Sequence, residues 1–313
     1  MATQKDIEFS YDNMDELWRL SLGEHADITA AFFNGDTTKT LEQAQIDKHS
    51  WILEGINFKK GDKILDIGCG WGPMLKAIKE RRGNGLGLTL SRAQLSTCKK
   101  HGLNARLQNW KDIDLSEIGK FDGIVSIGSF EHYCSADEYL EGKREEIYSK
   151  FFRTCYDLLK NNGRLFLQTM TLGKNPPWGS QIPTAEDLKK ISMKAPFKSD
   201  YQVLAGMDAV LPGSCVPSQG INYLNSLATP YFDFIKNSDG RLDYVQTVTE
   251  WEKRWYNKQP GKTWTKIKAL RHYLREGKNH WNKMKAIREN DVREVFIRDI
   301  FGHQRIFYEK STK

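Results

Sequence analysis

Lys63-Ile64-Leu65-Asp66-Ile67-Gly68-Cys69-Gly70-Trp71-Gly72 is an apolar run that ends in three glycines at alternate positions. A run of this kind reads as a buried strand turning tightly into a helix. Glycine has no Cβ, so it accepts positive φ and lets a ligand approach the backbone, while the first turn of the following helix presents unpaired N–H groups. The spacing selects the ligand. A dinucleotide fingerprint reads G-x-G-x-x-G and receives a pyrophosphate, whereas Gly68, Gly70 and Gly72 give G-x-G-x-G with Asp66 two residues ahead. This version suits S-adenosylmethionine, which carries no phosphate.

Outward from that turn, apolar residues recur at helical spacing through Met74, Leu75 and Ile78, and Gly85–Leu90 reads as a second strand. Ser91 is placed to cap a helix over 92–101. Ala105–Gln108, Phe121–Ile127 and Gly163–Thr169 read as the third, fourth and fifth strands, with helical patterns between them. Strands alternating with helices predict an α/β fold with a doubly wound, Rossmann-like, mostly parallel sheet, in which ligands bind outside the carboxyl ends of the strands. Residues 1–60 read as an N-terminal helical cap, with Asp12 and Thr40 capping Met14–Leu22 and Leu41–Leu53. Residues 61–170 form the core. Residues 171–240, rich in Pro and Gly to about 225, read as an inserted lid with a helix from about Ser218. Residues 241–313 complete the sheet through Leu242–Val248 and Gln304–Tyr308 as a final antiparallel pair.

With 313 residues, 39% of them hydrophobic and 28% charged, the chain can bury a full core. Its net charge of +7 suits an acidic partner such as phosphate headgroups, an anionic small molecule or nucleic acid, and equally suits a solvated basic surface. The stretch 258–288 concentrates Lys and Arg around Trp264, Tyr273 and Trp281. It reads either as a patch for peripheral contact with an anionic membrane or as a helix pair packing its aromatics inward. Cysteines 69, 98, 134, 155 and 215 form no C-x-x-C pair and no zinc spacing, which fits a reducing cytoplasm and predicts no metal. No apolar stretch approaches the ~20 residues of a membrane span, and the N-terminus lacks the apolar core of a signal peptide.

Beyond the glycine turn, Tyr11-Asp12, Thr29-Ala30-Ala31-Phe32-Phe33, Thr40–Gln45, Gly87-Leu88-Thr89-Leu90-Ser91 and Phe130-Glu131-His132 occur in one order. In that order the chain resembles the cyclopropane-fatty-acid and mycolic-acid synthases and the related coclaurine-type N-methyltransferases. The resemblance covers most of residues 10–170 and resumes at Leu211–Ser214 and Asp243–Thr247. It implies a class I, seven-stranded methyltransferase using S-adenosylmethionine. Tyr11, Asp12 and Trp71 would surround the sulfonium and Thr89, Ser91 and Gln94 would hold the ribose, in place of the acidic residue common after a second strand, with Thr29, Asp66, Gly68, Gly70, Gly72 and Leu90 also binding the cofactor. Asn109, Trp110 and Ile127 would complete the site, with Asp112 taking the adenine amino contact because Lys111 stands where the family has an acid.

Phe130-Glu131-His132 follows the fourth strand, the position of the transferred methyl group. Glutamate can orient an amine or accept a proton, and histidine is the side chain most readily tuned to exchange protons near neutrality. The resemblance also implies a bicarbonate base held by a cysteine, a glutamate, a histidine and a tyrosine. Glu131 and Tyr244 match, but the cysteine position is Ala30 and the histidine position is Gln168, so a bicarbonate site of the usual form is not expected. The expected activity is methyl transfer to carbon of a lipid or other apolar acceptor, with catalytic Glu131, His132 and Tyr244. N-methylation of a small amine and cyclopropane formation are the alternatives. No Asp-Pro-Pro-Tyr or Asn-Pro-Pro-Tyr stretch follows the fourth strand, so nucleic acid is not an expected substrate.

Overall fold

Alternation of buried strands with amphipathic helices requires a sheet covered on both faces, and the computed structural model has one. It describes residues 19–178, 198–210, 217–257 and 291–312, with the isolated Pro196 and Thr263. The seven strands are β1 (Lys63–Ile67), β2 (Asn84–Thr89), β3 (Ala105–Leu107), β4 (Phe121–Ile127), β5 (Leu159–Leu172), β6 (Phe232–Asp239) and β7 (Phe301–Lys310). Their order is β3-β2-β1-β4-β5-β7-β6. β1 to β5 pair in parallel, and β7 inserts antiparallel between β5 and β6. The strand order reverses between β1 and β4, which is where such sheets open a ligand crevice.

The sheet divides two apolar layers. Phe130, Tyr148, Phe151 and Phe152 join Leu65, Leu165 and Ile306 in the larger one. Ile52, Met74, Ile78, Phe166 and Phe307 form the other, sealed by Trp51. The helix Leu41–Gly55 starts where expected, with Thr40 accepting from Gln43 N, and Ser91 caps Arg92–Lys100 in the same way through Gln94 N.

Two segments depart from the sequence reading. Leu242–Val248, expected as a strand, belongs to the helix Arg241–Tyr256, and the strand that pairs with β7 is β6. A helix puts Asp243 and Thr247 on one face, where both are buried. The expected irregular lid contains a regular helix, Asp200–Val210, and its last residues are β6 itself. Gly220 precedes the helix Ile221–Ala228, a little later than expected. Of the expected helix Met14–Leu22, residues 14–18 lie outside the described residues and 20–22 are turn and bend. The basic stretch 258–288, apart from Thr263, also lies outside them. No helix among the described residues is long and apolar enough to cross a membrane.

The Asp243 and Thr247 face clamps the segment that leads from the N-terminal region to the sheet. Arg305 of β7, fully buried, donates Nη1 to Asp243 Oδ2 at 2.6 Å and Nη2 to Ala31 O at 2.6 Å. Asp243 Oδ1 accepts from Asn34 N at 3.0 Å, and Thr247 Oγ1 accepts from Ala31 N at 3.0 Å. Removing one partner of a buried ion pair strands the other, at about 3–5 kcal/mol. Arg305→Met is therefore expected to lower unfolding stability by about that amount in urea titrations. A loss no larger than that of an exposed Arg-to-Met change would show that the clamp carries no load.

Candidate active site

At the β1/β4 switch point the chain encloses a cavity of about 420 Å³. The three glycines of the turn do different work there. Gly70 (φ +54°) has nothing within 4 Å of where a Cβ would sit, so its backbone faces open space on the cavity wall. Gly68 (φ +88°) packs against Ser129, 2.4 Å from its would-be Cβ. Gly72 (φ +85°) faces Leu103 and Cys98 instead and does not line the cavity. It is a left-handed cap for the helix Pro73–Glu80, so its place in the turn has a structural reason as well as the expected ligand one.

Asp66, Trp71, Thr89, Leu90, Gln94, Asn109, Trp110, Ile127 and Thr29 all reach the cavity. Thr89 Oγ1 donates to Gln94 Oε1 at 2.7 Å and accepts from Ser91 N at 3.2 Å, so the end of β2 and the next helix are interlocked. Trp110 is buried, packed on Tyr133 and Phe151 at centroid distances of 5.2 and 5.4 Å, with one edge left to the cavity. Asp112 is exposed and does not line the cavity, so the adenine contact expected of it is not made there; Lys111 and Glu138, paired at 2.7 Å, occupy that rim. Tyr11 and Asp12 lie outside the described residues.

Sequence reasoning missed an ionic cluster. Asp27 pairs with Lys48 at 2.7 Å and His49 at 2.9 Å and accepts from Thr29 Oγ1 at 2.7 Å, while Lys48 also donates to Thr29 Oγ1 at 2.6 Å. Burial opposes ionisation of Asp27, yet Lys48 and His49 hold its carboxyl well below the usual range. The available signal was Gln45, Lys48 and His49 on the otherwise apolar face of their helix, where polar side chains need partners. A hydroxyl group of contacts was missed as well: Ser129 Oγ donates to Ile67 O at 2.8 Å and meets Tyr133 OH at 2.8 Å.

Of the expected catalytic residues, only His132 lines the cavity. Glu131 is buried behind the wall, accepting from Thr169 Oγ1 at 2.9 Å, and burial raises its carboxyl above the usual range. Tyr244 stacks on Phe296 at 4.7 Å in a separate apolar cluster. Ala30 and Gln168 do come together, but in contact with each other: Gln168 Nε2 donates to Ala30 O at 3.3 Å, and its Oε1 accepts from Arg305 Nε at 3.4 Å.

The cavity fits S-adenosylmethionine on two observations. Gly70 leaves backbone open to a ligand, and Asp66 Oδ1 is buried with no hydrogen-bond partner, a carboxylate awaiting a donor or cation. A mostly parallel sheet with this strand order, an antiparallel β7 and this cavity defines a class I S-adenosylmethionine-dependent methyltransferase. The family model for mycolic acid cyclopropane synthetase matches residues 1–286, and the chain belongs to that family. Cyclopropane mycolic acid synthase 2 of Mycobacterium leprae is 31% identical over 223 residues, 67% of each chain. The S-adenosylmethionine-dependent methyltransferase UmaA of Mycobacterium tuberculosis is 31% identical over 220 residues, 60% of this chain and 72% of its own. The structure of mycolic acid cyclopropane synthase CmaA1 complexed with SAH and CTAB superposes with a TM-score of 0.73 over 99% of both chains, at 22% identity.

Gly70→Val is expected to abolish S-adenosylhomocysteine binding in calorimetry, because the branched side chain enters the ligand space, and also to lower the melting temperature, because Gly70 has a left-handed φ. Gly72→Ala should lower the melting temperature as well, through its clash with Leu103 and its left-handed φ. Retained binding in Gly70→Val would mean the turn is misassigned. Burial, aided by Asp27 and opposed by Lys48, pushes the Asp66 carboxyl up to about 8. A cationic ligand favours the ionised form, so binding must expel that proton at lower pH. Affinity for S-adenosylmethionine should therefore rise between pH 6 and 8 by up to about tenfold per unit, and Asp66→Asn should flatten the profile; an identical profile in the variant would acquit Asp66.

Proposed function

We propose that the chain transfers a methyl group from S-adenosylmethionine to a carbon atom of a lipid or other apolar acceptor. The observation that carries this reading is the family match over residues 1–286. The apolar cluster at the carboxyl end of β5 supports it: Met170, Val203, Leu204, Met207 and Phe296, with Trp178, Tyr201 and Tyr244 packed against it, offer material for an apolar acceptor site.

When bound, S-adenosylmethionine supplies an electrophilic methyl group on a sulfonium centre. The chain's part is to bind, to exclude water and to handle a proton. Thr29 closes on Gly128, whose would-be Cβ lies 2.6 Å from its methyl, and Lys48 and Asp27 hold the hydroxyl in place. Methylation of an alkene carbon requires a proton to leave the acceptor. His132 lines the cavity at the end of β4 and is the proton acceptor in this reading. Glu131 braces β5 through Thr169 and acts, in this reading, by positioning.

A second reading, N-methylation of a small amine, is favoured by the Ala30 and Gln168 contact. With the Gln168 amide tied to the Ala30 carbonyl and to Arg305, the anion-holding set implied by the resemblance is not assembled there. A neutral amine attacks without such a base and sheds its proton near water.

Transfer of labelled methyl into a host-cell extract, followed by phase partition, tests the proposal. Label is expected in the organic phase. His132→Gln should reduce it by about two orders of magnitude at unchanged S-adenosylhomocysteine affinity, with Glu131→Gln affected far less. Label in the aqueous phase would replace the lipid reading with the amine one.

A further inference from the structure

Behind the glycine turn, two thiols from different elements meet. Cys69 lies in the turn and Cys98 near the end of the helix Arg92–Lys100. Both aim at one acceptor, Gly70 O, at 3.7 and 3.6 Å, and they are hydrogen-bonded to each other. The space they fill is left by glycines. A Cβ on Gly87 would sit 2.6 Å from Cys69 Sγ, and one on Gly72 would sit 3.0 Å from Cys98 Sγ. Cys98 is fully buried, whereas Cys69 is on the cavity wall. Cys134 and Cys155, in contrast, belong to the aromatic core cluster.

A buried thiol is ordinarily inert, because nothing reaches it and nothing favours its thiolate. Here the cavity supplies access to one sulfur and a second sulfur waits within hydrogen-bond range. We propose that Cys69 and Cys98 are a reversible oxidation site: hydrogen peroxide entering the empty cavity joins them in a disulfide, and the disulfide closes the site to its cofactor.

The chemistry balances in two steps. Cys69 attacks one peroxide oxygen, breaking the O–O bond, which gives a sulfenic acid and one water. Cys98 then attacks Cys69 Sγ, and the sulfenic oxygen leaves as a second water, so two thiols and one peroxide give one disulfide and two waters. Hydrogen bonding between the thiols lowers Cys98 below its ordinary value, which suits it to the resolving step, and with burial raises Cys69 well above its own, which makes the oxidation of Cys69 the slow step. Drawing the sulfurs from hydrogen-bond range to bond length pulls the turn toward the helix. Gly70, next to Cys69 on the cavity wall, has to move with it.

The effect on the cofactor rests on the cavity assignment above, while the bond itself does not, so the two are measured separately. Cofactor-free protein treated with peroxide should lose two titratable thiols, give a peptide cross-link between Cys69 and Cys98 by mass spectrometry, and bind S-adenosylhomocysteine at least about tenfold more weakly. Dithiothreitol should restore both. Saturating S-adenosylhomocysteine should slow the cross-link, because it covers Cys69. Cys98→Ala should bind S-adenosylhomocysteine with unchanged affinity before and after peroxide, and Cys134→Ala should still cross-link. Retention of all thiols, or a cross-link elsewhere, would overturn the oxidation site. A link between Cys69 and Cys98 that leaves affinity unchanged would overturn the closure. Failure of the reduced protein to bind would instead count against the cofactor cavity.

Discussion

A fully buried guanidinium organises the cofactor side of the fold. Arg305 enters from the middle of an antiparallel strand, neutralises Asp243 on a helix and holds the carbonyl of Ala31. A lone charge there would cost more than the fold can bear. Its pairing requires β7, the helix Arg241–Tyr256 and the segment around Ala31 to be in place together. Thr29, two residues before Ala31, is thereby set against Gly128 and the cavity. That wall of the cavity is therefore shaped by residues distant in sequence, while the glycine turn is a local feature.

How much of this the sequence conveys depends on the range of the interaction. β1, β2, β4 and the caps at Thr40 and Ser91 are local features, and their residues spell them out through alternation and short polar caps. Leu242–Val248 misleads because its apolar residues fit a strand as well as a helix. The deciding facts, Asp243 on Arg305 and Thr247 on Ala31, are contacts over long chain separations. The cavity residues near the glycine turn were readable for the same local reason, since strand ends and the turns after them are adjacent in a doubly wound sheet. Asp27, Lys48 and His49 were not, because their meaning lies in mutual neutralisation.

The catalytic assignments expose a different limit. Adjacent residues in a one-turn helix such as Phe130–His132 point in different directions, so Glu131 and His132 cannot both face one cavity. Sequence offers the pair; only the backbone decides which member reaches the ligand. Ala30 and Gln168 carry a related lesson. Their contact closes with a backbone carbonyl and an amide a space that the resemblance fills with an anion, which removes one route to a base while leaving the fold around it undisturbed.

The position of β7 has a consequence for how the protein comes into being. Residues 301–310 occupy the gap between β5 and β6 and bring Arg305 with them. On a ribosome, the glycine turn and β1 to β5 emerge before Arg305 has been made. Until it arrives, Asp243 has no counter-charge and Ala31 no donor for its carbonyl. A nascent chain can therefore present the glycine turn long before it can close the site, and commitment to the cofactor waits for β7.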